Sequence, residues 1–180
     1  MLDTEVILSS FDRQHLAATL KWVNDPRIMN TINRVLPVNM IQHEKWFERV
    51  THDSSQLVFS ILEQETMSHI GNCGLSNIDW RVRKAELWVY LDPDHWGKSW
   101  GVAAVRKLLD FAFSSLNLHR IFLYAIDNNC AAHATFRKAG FSEEGLFRDD
   151  VFLNGTYHNS IRMAILHTDW RKIRGEETRL

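Results

Sequence analysis

The stretch ELWVYLDPDHWGKSWGVAAV, residues 86–105, runs from a strand pattern through a turn into a helix pattern. Leu87, Val89 and Leu91 alternate with Glu86, Trp88 and Tyr90, as the two faces of an extended chain do. From Val102 the period changes. Val102, Val105, Leu109, Ala112 and Leu116 recur at helical spacing. Between the two patterns lie Pro93, Gly97 and Gly101, which punctuate a β-to-α turn. A chain entering a helix there presents N–H groups with no helical partner, at the positive end of the helix dipole. Such a turn is an anion site. Gly97 and Gly101 let a ligand approach the backbone closely, and Lys98 adds a cation. The same residues also read as a plain turn with a solvated lysine.

Gly97-Lys98-Ser99 matches the tail of a nucleotide-binding phosphate loop, G-x-x-x-x-G-K-[ST]. The first glycine of that pattern would fall at position 92, which is Asp92, and Pro93 and Asp94 follow. Two carboxylates would repel a phosphate. The following strand offers no clear aspartate for magnesium, so a P-loop nucleotide hydrolase fits less well than other anion-binding readings.

Upstream of this stretch, Val6 opens a first strand. Asp12 caps a helix carrying Leu16, Leu20 and Val23, and Asp25-Pro26 opens a second, short one. Asn39 caps a third helix over residues 39–50, with Met40, His43, Phe47 and Val50 on one face. Strands are expected over 57–62 and 70–78, with Gly71 and Gly74 marking a bulge or a close approach. Downstream, residues 119–126 form an apolar run that suits a strand buried on both faces. A helix over 129–139 ends at Gly140. Asn154-Gly155 then joins two strands, 141–153 and 156–166, through a type I′ turn.

The whole is one domain, residues 1–180, of the α/β class: a mixed sheet of about seven strands with about four helices on both faces. Net charge is −1, which gives no reason to expect a nucleic-acid partner. No window approaches eighteen apolar residues, so no membrane span is expected. The N-terminus lacks a signal pattern. Cys73 and Cys130, far apart, suit a reducing cytoplasm. Nine histidines without H-x-x-x-H spacing give no reason to expect a metal.

The order of elements and several local motifs together resemble the GNAT superfamily of acetyl-CoA-dependent N-acetyltransferases. That family's loop runs Q/R-x-x-G-x-G/A. Here the frame is Trp96-Gly97-Lys98-Ser99-Trp100-Gly101, with Trp96 in place of Gln or Arg and Ser99 in place of the central glycine. The segment DNNCAAHATFRKAGF (127–141) resembles the family's N-x-x-A-x-x-x-Y-x-K-x-G-F helix. FLNGTYHNSIRMAI (152–165) resembles the closing hairpin of polyamine and ribosomal-protein acetyltransferases. WVNDPRI (22–28) and HEKWFERV (43–50) resemble the N-terminal helices of amino-sugar-nucleotide acetyltransferases.

The resemblance implies a GNAT fold and acetyl-CoA as cosubstrate. It implies that backbone groups of Tyr90, Leu91 and Asp92 run beside the pantetheine arm, with one N–H polarising the thioester carbonyl. It places the N–H groups of Trp96, Gly97, Lys98, Ser99, Trp100, Gly101 and Val102 on the pyrophosphate, with Asn129 on the far side of the arm. Asn129 also reads as a simple N-cap. An alkylamine of pKa ~10 is nucleophilic in about one molecule per thousand at neutral pH, so a base is useful. Glu86 is the candidate, acting through water, unless it is a structural partner of Arg81, Arg83 or Lys84.

The family's tyrosine general acid is replaced by Phe136. Tyr124, Cys130, His133 and Tyr157 are alternatives that also read as structural, Tyr124 as core. Of the tryptophans near the cleft in sequence, Trp88 and Trp100 read as packing, and Trp80 and Trp96 as open to an acceptor role. The acceptor is a small-molecule or peptide amine: an amino-sugar nucleotide, a protein N-terminus or a polyamine. The modest net charge offers no clear acidic sink for a polycation. Exposed apolar strand edges would suit a homodimer. A non-catalytic acyl-CoA-binding module, motivated by Phe136, is the alternative to an enzyme.

Overall fold

The computed structural model describes residues 5–175. In chain order the elements are β1 (Val6–Ser10), α1 (Leu16–Val23), α2 (Pro26–Met29), α3 (Met40–His52), β2 (Leu57–Glu63), β3 (His69–Asp79) and β4 (Lys84–Leu91). There follow α4 (Trp100–Asp110), β5 (Arg120–Ile126), α5 (Cys130–Ala139), β6 (Ser142–Leu153), β7 (Thr156–Leu166) and α6 (His167–Ile173). The strands form one seven-stranded mixed sheet in the order β1-β2-β3-β4-β5-β7-β6. Every neighbouring pair is antiparallel except β4 and β5.

Local chemistry accounts for the helix starts. The Asp12 carboxylate accepts from the Arg13 amide at the head of a 3₁₀ turn leading into α1. Asp25 accepts from the Arg27 amide, with Pro26 at the first helical position of α2. Asn39 and Gln42 form a reciprocal capping box on α3. Such caps contribute about 1 kcal/mol each.

α4 lies on one sheet face against β1, β3 and β4. Ala104, Val105, Leu108 and Leu109 of this helix are fully buried, together with Ile121 and Leu123 of β5. Burying each leucine contributes about 1.5–3 kcal/mol. α1 packs over β3, and α3 over β2.

Four expectations change. Among the described residues there are six α-helices rather than about four, because α2 is separate and α6 follows β7. α6 is seated by Trp170, whose ring lies 6.3 Å from that of Phe113. The long helix starts at Trp100 and leaves the α form at Phe111, passing through a π-type turn, Phe111–Ser115. Strand β5 is not buried on both faces: Tyr124 is 42% exposed, against Phe147 and Arg162, rather than in the core. β6 is bulged between Phe147 and Val151, where Asp149 adopts a positive φ.

Gly74 is a close-approach position. A Cβ there would lie 2.6 Å from the Trp88 indole and would also strike the Leu57 carbonyl. Its absence lets that indole lie flat across the sheet.

Candidate active site

The parallel ladder between β4 and β5 has three pairs, Lys84–Arg120, Ala85–Ile121 and Glu86–Phe122. Beyond Glu86 the two strands part. Leu87 to Leu91 stay paired with β3, and Leu123 to Ile126 with β7. The result is a slot with an unpaired backbone edge on each side. Unmet edge groups are ready to pair with an inserted chain that carries amides.

Which β4 groups face the slot follows from alternation along the strand. The Asp92 N–H donates to the Ile70 carbonyl on β3 (2.8 Å), so the backbone groups of Asp92 and Tyr90 point toward β3. Those of Leu91 and Val89 therefore point into the slot. The Leu91 carbonyl confirms the direction by accepting from the Trp96 indole N–H at 3.1 Å. The expectation for Tyr90, Leu91 and Asp92 is thus corrected to Leu91, joined by Val89. The amides of Tyr90 and Asp92 are turned away.

The turn that follows is built on Asp92, whose carboxylate accepts from the Asp94 amide (3.2 Å). The Trp96 N–H donates to the Pro93 carbonyl (3.2 Å) and is not free for a phosphate, a second correction. Gly97 has φ +79° and Ser99 φ +66°. Ser99 thus holds the left-handed conformation that glycine would take there, at a cost of about 1–2 kcal/mol. The first helical bond of α4 runs from the Ala103 N–H to the Ser99 carbonyl (3.1 Å). The amides of Trp100, Gly101 and Val102 precede that ladder, at the positive end of an eleven-residue helix. Gly101 packs toward Thr135 of α5 and Leu91 of β4, so the turn closes directly over the mouth of the slot.

On the β5 side, Asn129 caps α5 through its side-chain oxygen, which accepts from the Ala132 amide (3.1 Å). Its own N–H donates to the Ile126 carbonyl (2.9 Å), which leaves the side-chain NH₂ as its remaining donor. The His133 ring nitrogen Nε2 meets the Ile126 carbonyl (2.9 Å), so this residue braces the α5 start. Phe136 is buried, edge-on to Phe141 at 5.7 Å. Cys130 and Tyr157 are exposed.

On the face of β4 opposite α4 lies a cavity of 570 Å³. Its floor is Trp88, Val89 and Tyr90, just beyond the point where β5 leaves β4. Its walls come from α3 and from the segment 32–38. Asn24 holds that segment in place with two bonds: its amide nitrogen donates to the Val38 carbonyl (2.8 Å) and its oxygen accepts from the Val38 N–H (2.7 Å). Trp88 and Tyr90 stack at 5.8 Å, and His43 and Trp46 at 5.1 Å. Trp88 is therefore a cavity wall as well as a packing residue, a correction to the reading above. Trp80 instead sits at the opposite end of β4, where its indole donates to the Ser54 carbonyl.

Tyr90 is held from behind. The Asn72 amide donates to the Tyr90 hydroxyl (3.1 Å) and the Thr19 hydroxyl (2.9 Å), and its oxygen meets His69 Nε2 (2.9 Å). Burial pushes the Tyr90 phenol well above its usual range. Burial, with a further contribution from the nearby Arg34 charge, holds His43 below the usual imidazole value. Glu86 accepts from the Asn77 amide (2.8 Å) rather than pairing with Arg81, Arg83 or Lys84. It lies on the Trp88 face of β4, two residues back, about 7 Å along the strand.

Sequence reasoning missed the cavity residues His43, Trp46 and Arg34 as a group. They lie on two different elements, and the i, i+3 spacing of His43 and Trp46 reads equally as helix packing.

A slot between parted parallel strands, closed by a glycine-bearing turn and flanked by a cavity, is the architecture of an acyl-coenzyme A enzyme. The model of the acetyltransferase (GNAT) domain matches residues 5–142. The chain is 33% identical over 170 residues to the spermidine N(1)-acetyltransferase of Vibrio cholerae, covering 94% of this chain and 97% of that one. It is 41% identical over 91 residues to the N-acetyltransferase p20 of Bacillus licheniformis, about half of each chain (51% and 51%). A crystal structure of the Vibrio cholerae spermidine N-acetyltransferase with CoA and spermine superposes with a TM-score of 0.88 at 27% identity, over 92% of this chain and 98% of that one.

The chain belongs to the GNAT acetyltransferase family. It is an acetyl-CoA-dependent N-acetyltransferase that acts on a primary amine, and the nucleotide-hydrolase and binding-module readings give way to that. No helix among the described residues is long and apolar enough to cross a membrane.

Proposed function

We propose that acetyl-CoA lies in the slot between β4 and β5 and that the amine reaches it from the cavity on the other face. The observation that carries this reading is that the cavity floor, Trp88 to Tyr90, is the same piece of β4 whose edge borders the slot. The coenzyme supplies an activated acetyl group as a thioester. The residues of the chain bind, orient and move a proton. The amides of Gly97 to Val102 cradle the diphosphate, with the helix dipole of α4 behind them. The Leu91 N–H, facing the slot, donates to the thioester oxygen as it gains charge. The Asn129 NH₂ meets the arm from the β5 side.

As the amine nitrogen bonds to the acyl carbon and the carbon–sulfur bond breaks, the surplus amine proton passes through water to Glu86. The thiolate, of pKa about 8.5, leaves without a dedicated acid. That fits Phe136 at the position where the family often carries a tyrosine.

The test is thiol release from acetyl-CoA against a panel of amines, with acetyl-CoA binding measured separately by calorimetry. Saturable binding and turnover on at least one amine are expected. Binding with no turnover on any amine would return the protein to the class of acyl-CoA-binding modules. The acceptor named for the Vibrio relative is a polyamine. The walls of this cavity favour a different charge.

A further inference from the structure

The cavity wall carries two arginines, Arg34 and Arg49, and no carboxylate. Among the described residues, neither guanidinium has a carboxylate within 4.0 Å. Arg34 lines the cavity beside His43 and Tyr90, and its charge acts on both. Arg49 influences Asp53, but that carboxylate is occupied by the Ser55 amide (2.9 Å), the Ser55 hydroxyl (2.6 Å) and the Gln56 side chain (2.8 Å).

The geometry of α3 explains where its acids went. At roughly 100° per residue, Gln42, His43, Trp46 and Arg49 share one face, and Glu44 and Glu48 fall on the opposite one. Glu48 is instead near Arg13, at 3.6 Å. A polyamine would bring several positive charges into a cavity that already holds two and offers no anion. The wall also carries the flat or apolar side chains Trp46, Trp88, Leu36 and Pro37, beside the neutral polar Gln42 and Gln56 and the imidazole of His43. The cavity volume is that of a small-molecule site.

We infer that the acceptor is a small primary amine carrying a phosphate or carboxylate, which Arg34 and Arg49 hold while its amine points to β4. This deepens the proposed function and rests on the cavity being the acceptor site. A guanidinium binds either anion through paired N–H bonds, so both sources satisfy the same chemistry. The flat walls suit a ring between the amine and the anion.

Matched pairs test the idea with the full chain and saturating acetyl-CoA. Lysine differs from cadaverine by one carboxylate, and glucosamine 6-phosphate from glucosamine by one phosphate. Spermidine and a neutral peptide N-terminus complete the panel. The expected result is a kcat/KM for an anion-bearing member roughly tenfold or more above its partner that lacks the anion. Which pair shows it identifies the anion. Arg34→Gln and Arg49→Gln should each remove most of that preference, read as a rise in KM for the anion-bearing member of the pair. A preference for spermidine or the peptide, or ratios that neither substitution alters, would overturn the inference.

If no amine turns over, the proposed function fails separately. Thermal stabilisation by glucosamine 6-phosphate and by lysine then decides the anion site: it should be present in the wild type and lost in the two variants. Its absence from the wild type, or its persistence in both variants, would also overturn the inference.

Discussion

Glu86 and Phe122 form the last pair of the β4–β5 ladder, so the proposed base stands at the point where the sheet opens. Its carboxylate is tied to Asn77, not to a cation. Glu86→Gln keeps an oxygen that can accept from Asn77 and should leave the denaturation midpoint close to wild type. It removes the proton acceptor. The expected loss in kcat/KM at neutral pH is on the order of 10²-fold or more. Thiol-release kinetics measure it. An unchanged kcat/KM would remove Glu86 from the mechanism.

The turn before α4 contains two left-handed residues, only one of them glycine. Ser99→Gly should stabilise the fold by up to about 1 kcal/mol, because the left-handed conformation no longer strains a side chain. Gly97→Ala should cost about 1 kcal/mol although nothing lies within 4 Å of the added methyl. The two changes act on backbone shape alone. If the amides of this turn hold the diphosphate, Gly97→Ala also raises the acetyl-CoA KM while leaving the acceptor KM unchanged. Urea denaturation and a two-substrate kinetic matrix separate the effects.

The β4-turn-α4 unit and the hairpin were legible because each is local. Alternation, Gly97 and Gly101, and Asn154-Gly155 all act within a few residues of themselves. The direction of each β4 amide was not legible, because it depends on the register with β3. Tyr124 looked like core because its strand is apolar, and nothing in the strand reveals that β4 departs after Phe122. The cavity was invisible for the same reason. Its roof is fixed by Asn24 clamping Val38, a contact across fourteen positions in an aperiodic segment. α6 was missed because its seven residues are too few for a periodic signal and are set by Trp170 docking on Phe113.

Asn72 ties three elements together at full burial, meeting Thr19 of α1, His69 of its own strand and Tyr90 of β4. Asn72→Leu keeps the volume but leaves two hydroxyls and an imidazole N–H without that partner. Each buried polar group left unpaired costs about 1–3 kcal/mol. The variant should be destabilised by about 3 kcal/mol in urea denaturation. Tyr90→Phe removes only one acceptor, since the Asn72 amide keeps Thr19, and should cost about 1 kcal/mol. Equal losses in the two variants would contradict the network.

Three imidazoles, His15, His43 and His69, are held below their usual pKa, each chiefly by burial. The unfolded chain takes up protons at these sites near pH 6.5 and the folded chain does so only at lower pH. Below about pH 6.5 the unfolded state therefore binds more protons, and stability falls as pH falls. Their contribution is fully present above the unfolded value and is lost on descending through the folded ones. The carboxylates held below their usual range, among them Asp53 and Glu144, act in a separate window near pH 4 and below. Urea denaturation between pH 7.5 and 5.5 should show proton uptake on unfolding that rises toward three. His43→Phe preserves stacking on Trp46 and removes one of the three sites, so its stability should fall less steeply with acid. A variant with the wild-type slope would show that His43 takes up its proton equally in both states.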